Sequence, residues 1–216
     1  MSSLGKPSNP PNLRLAVLLL AAGEGSRLGL TPKALLQKNG QTLLSLFSHS
    51  IKAFMPIEFL VVTGFYADSI ESEIAKLKES LDLPIEYIRN PDPERGQASS
   101  VRLGLETLQS HYDVLLIALC DQPLVGAIEI DALLKQFEQR GKNKEIVLPM
   151  VGQQRGNPVV FSDKVIADIL AIPKMVCRPF MDQHPELVQI FATDNEAYIA
   201  DVDTEAELSR FDLKRF

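Results

Sequence analysis

Apolar and polar positions along this chain switch between two periods. Residues 13–21 are an almost continuous apolar run that ends in a glycine-rich loop. A run of this kind predicts a strand buried on both faces, the mark of a parallel sheet. Leu43, Phe47, Ile51 and Phe54 then recur at helical spacing, and residues 59–63 give a second strand. Ile70, Ile74, Leu77 and Leu81 predict a second helix, and residues 84–88 a third strand. Val101, Leu105 and Leu108 mark a third helix before a fourth strand over 114–119. Ile130, Leu133, Leu134 and Phe137 mark a fourth helix before a fifth strand over 145–149. After Met150 the rhythm loosens. Short strands are predicted over 158–161, 188–192 and 198–202, and helices over 163–170 and 204–211. Thr204 and Glu207 have the spacing of a capping box at the start of the last helix.

Strands alternating with amphipathic helices imply right-handed crossovers and a sheet covered on both sides. The expected fold is a three-layer α/β/α arrangement with a mainly parallel, Rossmann-like sheet. Residues 1–12 hold Pro7, Pro10 and Pro11 and read as a flexible tail. Residues 13–216 then read as a single domain. A 45% hydrophobic, 23% charged composition is ordinary for a globular protein. A net charge of -6 argues against a nucleic-acid-binding face but leaves room for one nucleotide. Cys120 and Cys177 lack a CxxC spacing, so neither a disulfide framework nor a structural zinc site is expected. The start of the chain lacks a signal-peptide pattern, and the first apolar run is too short to span a bilayer. The expectation is a cytoplasmic protein without a membrane partner.

Ligands in such sheets bind beyond the carboxyl ends of the strands. Three polar clusters fall there: residues 23–33, 90–100 and 121–123. The first follows Leu20 as Ala21-Ala22-Gly23-Glu24-Gly25-Ser26-Arg27-Leu28-Gly29. A dinucleotide fingerprint would need glycine where Leu28 stands. A Walker A loop would need Ser or Thr after the lysine, yet the sequence reads Pro32-Lys33-Ala34. What remains is a loop of small residues whose backbone N–H groups can approach phosphate oxygens. Arg27 can grip two oxygens of one phosphate, and Lys33 brings a compact charge.

This pattern resembles the pyrophosphorylase signature of the nucleotidyltransferases with a glycosyltransferase-A-like fold. From about Leu15 to Phe211 the chain resembles more closely the molybdenum-cofactor nucleotidyltransferases, the cytidylyl- and guanylyltransferases that load molybdopterin. The resemblance implies transfer of a nucleotide from a nucleoside triphosphate to a small phosphorylated acceptor. A molybdoenzyme or chaperone partner also comes with it. Arg27, Lys33 and Asp121 become the catalytic candidates. Asp121 ends an apolar strand, where a carboxylate is well presented to Mg²⁺. The competing reading is a cap for the helix that follows. Asp203 is the second candidate metal ligand, with Asp201 beside it facing the acceptor; a helix start at Asp203-Thr204 is the competing reading.

The nucleotide-binding candidates are Leu20, Ala21, Ala22, Gly23, Gly25, Ser26, Arg27, Lys33, Thr63, Asn90, Gln97 and Ser100. The segment from Asn90 to Ser100 resembles the one that closes over base and ribose, though Ser99 or Ser100 could merely cap a helix. In the resembled branch an Ala-Ala-Gly loop accompanies the cytidylyltransferases. Ala21-Ala22-Gly23 therefore favours CTP over GTP. Arg155-Gly156-Asn157-Pro158 resembles an acceptor-facing element, making Arg155 and Asn157 acceptor candidates. The branch's Gly-Asp-x-Gly segment is missing, and Met175 to Asp182 stands in its place, with Arg178 a further candidate. Transfer to a sugar phosphate or other alcohol phosphate, or a non-catalytic nucleotide-binding module, are the alternatives. His49, His111 and His184 are scattered and suggest no nucleophile–base set.

Overall fold

A computed structural model describes residues 13–215. The tail predicted over 1–12 lies outside the described residues. The strands are β1 (Leu15–Ala21), β2 (Gln37–Lys38), β3 (Gln41–Thr42), β4 (Glu58–Thr63), β5 (Ile85–Arg89), β6 (Val114–Leu119), β7 (Ile146–Val151), β8 (Gln154–Arg155), β9 (Val159–Ser162) and β10 (Val188–Ala192). The helices are α1 (Leu43–Lys52), α2 (Ala67–Ser80), α3 (Gln97–Thr107), α4 (Ala127–Glu138), α5 (Asp163–Ala171), α6 (Cys177–Gln183) and α7 (Glu205–Arg210).

The main sheet runs β10-β7-β9-β6-β1-β4-β5, with β8 paired to β7. Every pairing among β6, β1, β4 and β5 is parallel. The mixed character comes from β9, which is antiparallel to both β6 and β7. Every residue of β1 is buried. Its side chains alternate between faces, as a pleated strand requires. Val17, Leu19 and Ala21 join α1, α2 and α4 in one core; Ala16, Leu18 and Leu20 join α3, α5 and α6 in the other. The three-layer α/β fold with a mainly parallel sheet is thereby established.

A third cluster has a different job. Leu28 and Leu36 from the loop after β1 pack with Val202, Leu208, Phe211 and Leu213. Burying these side chains pulls the C-terminal segment onto the glycine loop. A backbone bridge between Gln37 and Lys214 adds to the hold.

The strand predicted over 198–202 is not a strand. Glu196–Ile199 is a 3₁₀ turn, begun by Asn195, whose side chain accepts from the Ala197 N–H. The chain beyond it is extended but joins no sheet; the Val202 N–H donates to the Asp121 carbonyl at 3.0 Å. Its apolar residues are buried against the third cluster rather than between strands. The last helix does start at a Thr204–Glu207 capping box. No described helix is long and apolar enough to cross a membrane.

Candidate functional site

Register places the site. Ala21 pairs with Thr63 and Leu20 with Leu119, so the loops after β1, β4 and β6 leave the sheet at one level. They open onto a cleft of about 540 Å³. The loop after β1 is tightly wound. Gly25 has φ of 64°, and a Cβ there would lie 2.1 Å from the Thr31 carbonyl oxygen. Only glycine fits. Leu28, where a dinucleotide fingerprint would have glycine, is instead an anchor, 1% exposed in the third cluster. The Thr31 hydroxyl donates to the Leu28 carbonyl at 2.6 Å. The Tyr66 hydroxyl donates to the Glu24 carbonyl at 2.7 Å and ties the loop to the start of α2.

Four charged side chains meet at the mouth of this loop. Lys33 Nζ lies 2.8 Å from Asp121 Oδ2 and 2.6 Å from Asp203 Oδ1. Arg27 reaches the other oxygen of Asp203 at 2.8 Å. Burial would lower the Lys33 pKa, but Asp121 and Asp203 outweigh it and hold the ammonium above its ordinary value. Burial would likewise raise Asp203, but Lys33 and Arg27 keep its carboxyl below the ordinary range. Asp201 behaves oppositely. Burial, reinforced by the Asp121 charge, pushes its pKa up to about 6. Its Oδ1 and Gln122 Oε1 are buried without hydrogen-bond partners.

Asp121 does not cap α4. That helix begins at Ala127, and its Gly126 N–H is bonded by Glu129. Nor does Asp203 cap α7, since Thr204 does. Both carboxylates are left to face a cation. Among the described residues no group of three or more His, Cys, Asp or Glu side chains gathers around one point. Asp121 and Asp203 do converge on one cationic atom, Lys33 Nζ. Magnesium ordinarily takes one or two carboxylates and completes its shell with phosphate oxygens and water, so this pair fits it.

The cleft is lined by Leu20, Ala21, Ala22, Gly23, Gly25, Ser26, Arg27, Lys33, Gln97, Ser100, Asp121 and Asp203. Two expected nucleotide contacts do not line it. Thr63 is fully buried and its hydroxyl donates to Glu71 at 2.8 Å, away from the cleft. Asn90 is also buried; its amide donates to Ser99 and Ser100, and its oxygen accepts from the Asp92 N–H. These bonds shape the loop that carries Gln97. The acceptor candidates also stand outside the lining of this cleft. Arg155 pairs with Asp182 of α6 at 2.7 Å, and the Asn157 N–H donates to the Tyr198 carbonyl. Arg178 is exposed on the same helix.

Phe65, which no motif singled out, shares the lining with Pro93 and Glu94 of the 90–100 segment. Gly64 precedes Phe65 in the loop after β4. A Cβ at Gly64 would lie 2.8 Å from Ala22 Cβ and 2.9 Å from Pro93 Cβ, so three loops meet at that glycine.

The family model for the MobA-like NTP transferase domain matches residues 17–187. The chain belongs to that family, a nucleotidyltransferase family whose reactions take a nucleoside triphosphate and a phosphorylated acceptor. It is 36% identical over 121 residues to the bifunctional protein GlmU of Mycobacterium avium, covering 55% of this chain and 24% of that one. The chain thus spans between 24% and 34% of the length of the GlmU relatives it matches. It is 28% identical over 199 residues to the nicotine blue oxidoreductase of Paenarthrobacter nicotinovorans, covering 89% of this chain and 94% of that protein. Among solved structures, Rv0371c of Mycobacterium tuberculosis superposes with a TM-score of 0.70 at 22% identity, over 91% of this chain and 97% of that one. Rv0371c has also been solved in complex with manganese, with a TM-score of 0.66 at 19% identity, over 92% of this chain and 97% of that one.

Proposed function

We propose that residues 13–216 act as one transferase domain that moves a nucleotidyl group, with CTP preferred, to a small phosphorylated acceptor of the molybdopterin class. The observation that carries this reading is the set of Lys33, Arg27, Asp121 and Asp203 at the mouth of the glycine loop. A site that only holds a nucleotide has no need for two cations and two carboxylates around one point.

The reaction is in-line displacement. An oxygen of the acceptor phosphate attacks the α-phosphorus of the triphosphate, and the bond to the bridging oxygen of the β-phosphate breaks. Pyrophosphate leaves with that electron pair. The acceptor phosphate is already an anion, so no side chain has to take a proton from it. The loop from Ala22 to Ser26 offers backbone N–H groups to the phosphates. Lys33 and Arg27 turn from the carboxylates to the α-phosphate and the leaving oxygens, where charge grows in the transition state. Asp121 and Asp203, with Asp201 as their neighbour, would hold Mg²⁺. When bound, that ion would neutralise the triphosphate and the departing pyrophosphate. The manganese complex of Rv0371c supports a divalent ion in this fold. Ala22 is buried at the edge of the cleft, and its methyl narrows the space beside the base, which favours a pyrimidine.

A second reading is transfer to a sugar phosphate or other alcohol phosphate, which the glycine loop, Arg27, Lys33 and Asp121 would serve equally well. One assay separates the readings. Pyrophosphate release is measured with Mg²⁺ or Mn²⁺, each of the four ribonucleoside triphosphates, and a panel holding molybdopterin, sugar phosphates and alcohol phosphates. CTP with molybdopterin is expected to turn over fastest. Lys33→Ala and Asp121→Ala are each expected to lose about 10²–10³-fold in kcat. Full turnover by Asp121→Ala would sink the metal assignment. Triphosphate binding without pyrophosphate release across the panel would leave only a nucleotide-binding module.

A further inference from the structure

Among the described residues, Phe65 is the one exposed large apolar side chain that lines the cleft. It is 41% exposed, on the loop just after β4. Leaving an aromatic ring against water in a ligand cleft costs hydrophobic free energy that a flat ligand would recover.

The ring stands on fixed backbone. Gly64 packs so closely against Ala22 and Pro93 that a Cβ would fall within 2.9 Å of each. The Ala67 N–H donates to the Gly64 carbonyl at 3.1 Å. Next in sequence, the Tyr66 hydroxyl is bonded to the Glu24 carbonyl. Phe65 is thus held between the glycine loop and the start of α2, a rigid mount for a contact surface.

Topology decides what meets it. Asp121 follows β6, on one side of β1; Phe65 follows β4, on the other. Two strand spacings, roughly 10 Å, separate them. Lys33, Asp121 and Asp203 gather on the β6 side, with Arg27 on Asp203. The β4 and β5 side offers Phe65 and Pro93, with Glu94 and Gln97 as the polar groups. A nucleoside triphosphate has the same polarity, with charge at one end and a flat apolar face at the other.

We propose that Phe65 is the stacking face for the nucleobase, a specificity-determining contact within the nucleotide site. The proposal rests on the transferase reading above. An aromatic face accepts any base, so the choice among bases falls to the polar edge groups of Glu94 and Gln97 and to the width beside Ala22.

The test compares CTP with inorganic tripolyphosphate, each with Mg²⁺, by calorimetry. Phe65→Ala is expected to bind CTP roughly tenfold or more weakly, with tripolyphosphate affinity unchanged. Phe65→Trp keeps the ring and gives the chain its only tryptophan, since the natural sequence has none. Its fluorescence is expected to change with CTP and not with tripolyphosphate. Unchanged CTP affinity in Phe65→Ala, or an equal loss for both ligands, would overturn the proposal while leaving the transferase reading in place. Wild-type protein that binds tripolyphosphate but no nucleoside triphosphate would overturn both.

Discussion

Lys33 is the residue on which the site turns. Its ammonium sits where two carboxylates converge, 2.8 Å from one and 2.6 Å from the other. Under the proposed function, the lysine and a divalent ion would compete for the same oxygens. Removing the lysine should therefore favour the ion. Lys33→Met is expected to bind Mn²⁺ several-fold more tightly than wild type in the absence of nucleotide, read by calorimetric titration, while losing turnover. Equal or weaker Mn²⁺ binding would mean that Asp121 and Asp203 do not form a cation site. Lys33, Asp121 and Asp203 were legible in sequence because each stands just past an apolar run or a glycine loop. Thr63 and Asn90 stand outside the lining because position at a strand end does not say which way a side chain turns; successive side chains face opposite sides. Phe65 was missed because a lone aromatic in a loop has no spacing signature.

Elements are held in place by close contacts that sequence patterns announce only in part. The meeting of the loops after β1, β4 and β5 depends on Gly64 having no side chain. In Gly64→Ala the new methyl must push away the Ala22 carbonyl, 2.8 Å distant, and Pro93. Overpacking of this kind costs about 1–3 kcal/mol, a melting temperature lower by roughly 3–10 °C. Triphosphate affinity should fall with it, since Ala22 carries the glycine loop. An unaltered melting curve would show that the loops part freely. The buried strands β1, β4 and β6 were legible because both faces are covered and their apolar runs are unbroken. α6 was not, since Pro179 reads as a breaker, although proline is tolerated in a first helical turn. The stretch 198–202 misled for the opposite reason. Tyr198 reaches the main core while Ala200 and Val202 fill the side cluster that binds the C-terminal segment, and apolar content alone cannot tell that from a strand.

At the scale of the whole molecule, the central strands β1 and β6 divide their labour between two edges of the sheet. Their carboxyl ends carry the glycine loop and Asp121. Their amino ends are pinned by Arg14, whose guanidinium makes two bonds to the Asp113 carboxylate at 2.8 and 3.0 Å, with its N–H adding a third at 2.8 Å. This clamp locks the register that sets Leu20 beside Leu119, and so sets the level of both loops. It touches nothing in the cleft. The hydrogen bonds from the Arg14 side chain and backbone hold the Asp113 carboxyl down to about 2, from an ordinary value of 3.8. A lowered carboxylate pKa stabilises the folded state above the ordinary value and loses that contribution as pH falls towards the lowered one. The clamp is therefore fully present above about pH 4 and fades towards pH 2. Arg14 is exposed and Asp113 partly so, and screening keeps the effect small. Asp113→Asn is expected to melt roughly 1–3 °C below wild type at pH 7. The gap should close as the pH is lowered towards 2, and the KM for triphosphate should not move. A shifted KM at neutral pH would show that register at the amino edge reaches the site. A gap that persists unchanged at low pH would show that the carboxylate's charge is not what holds the clamp.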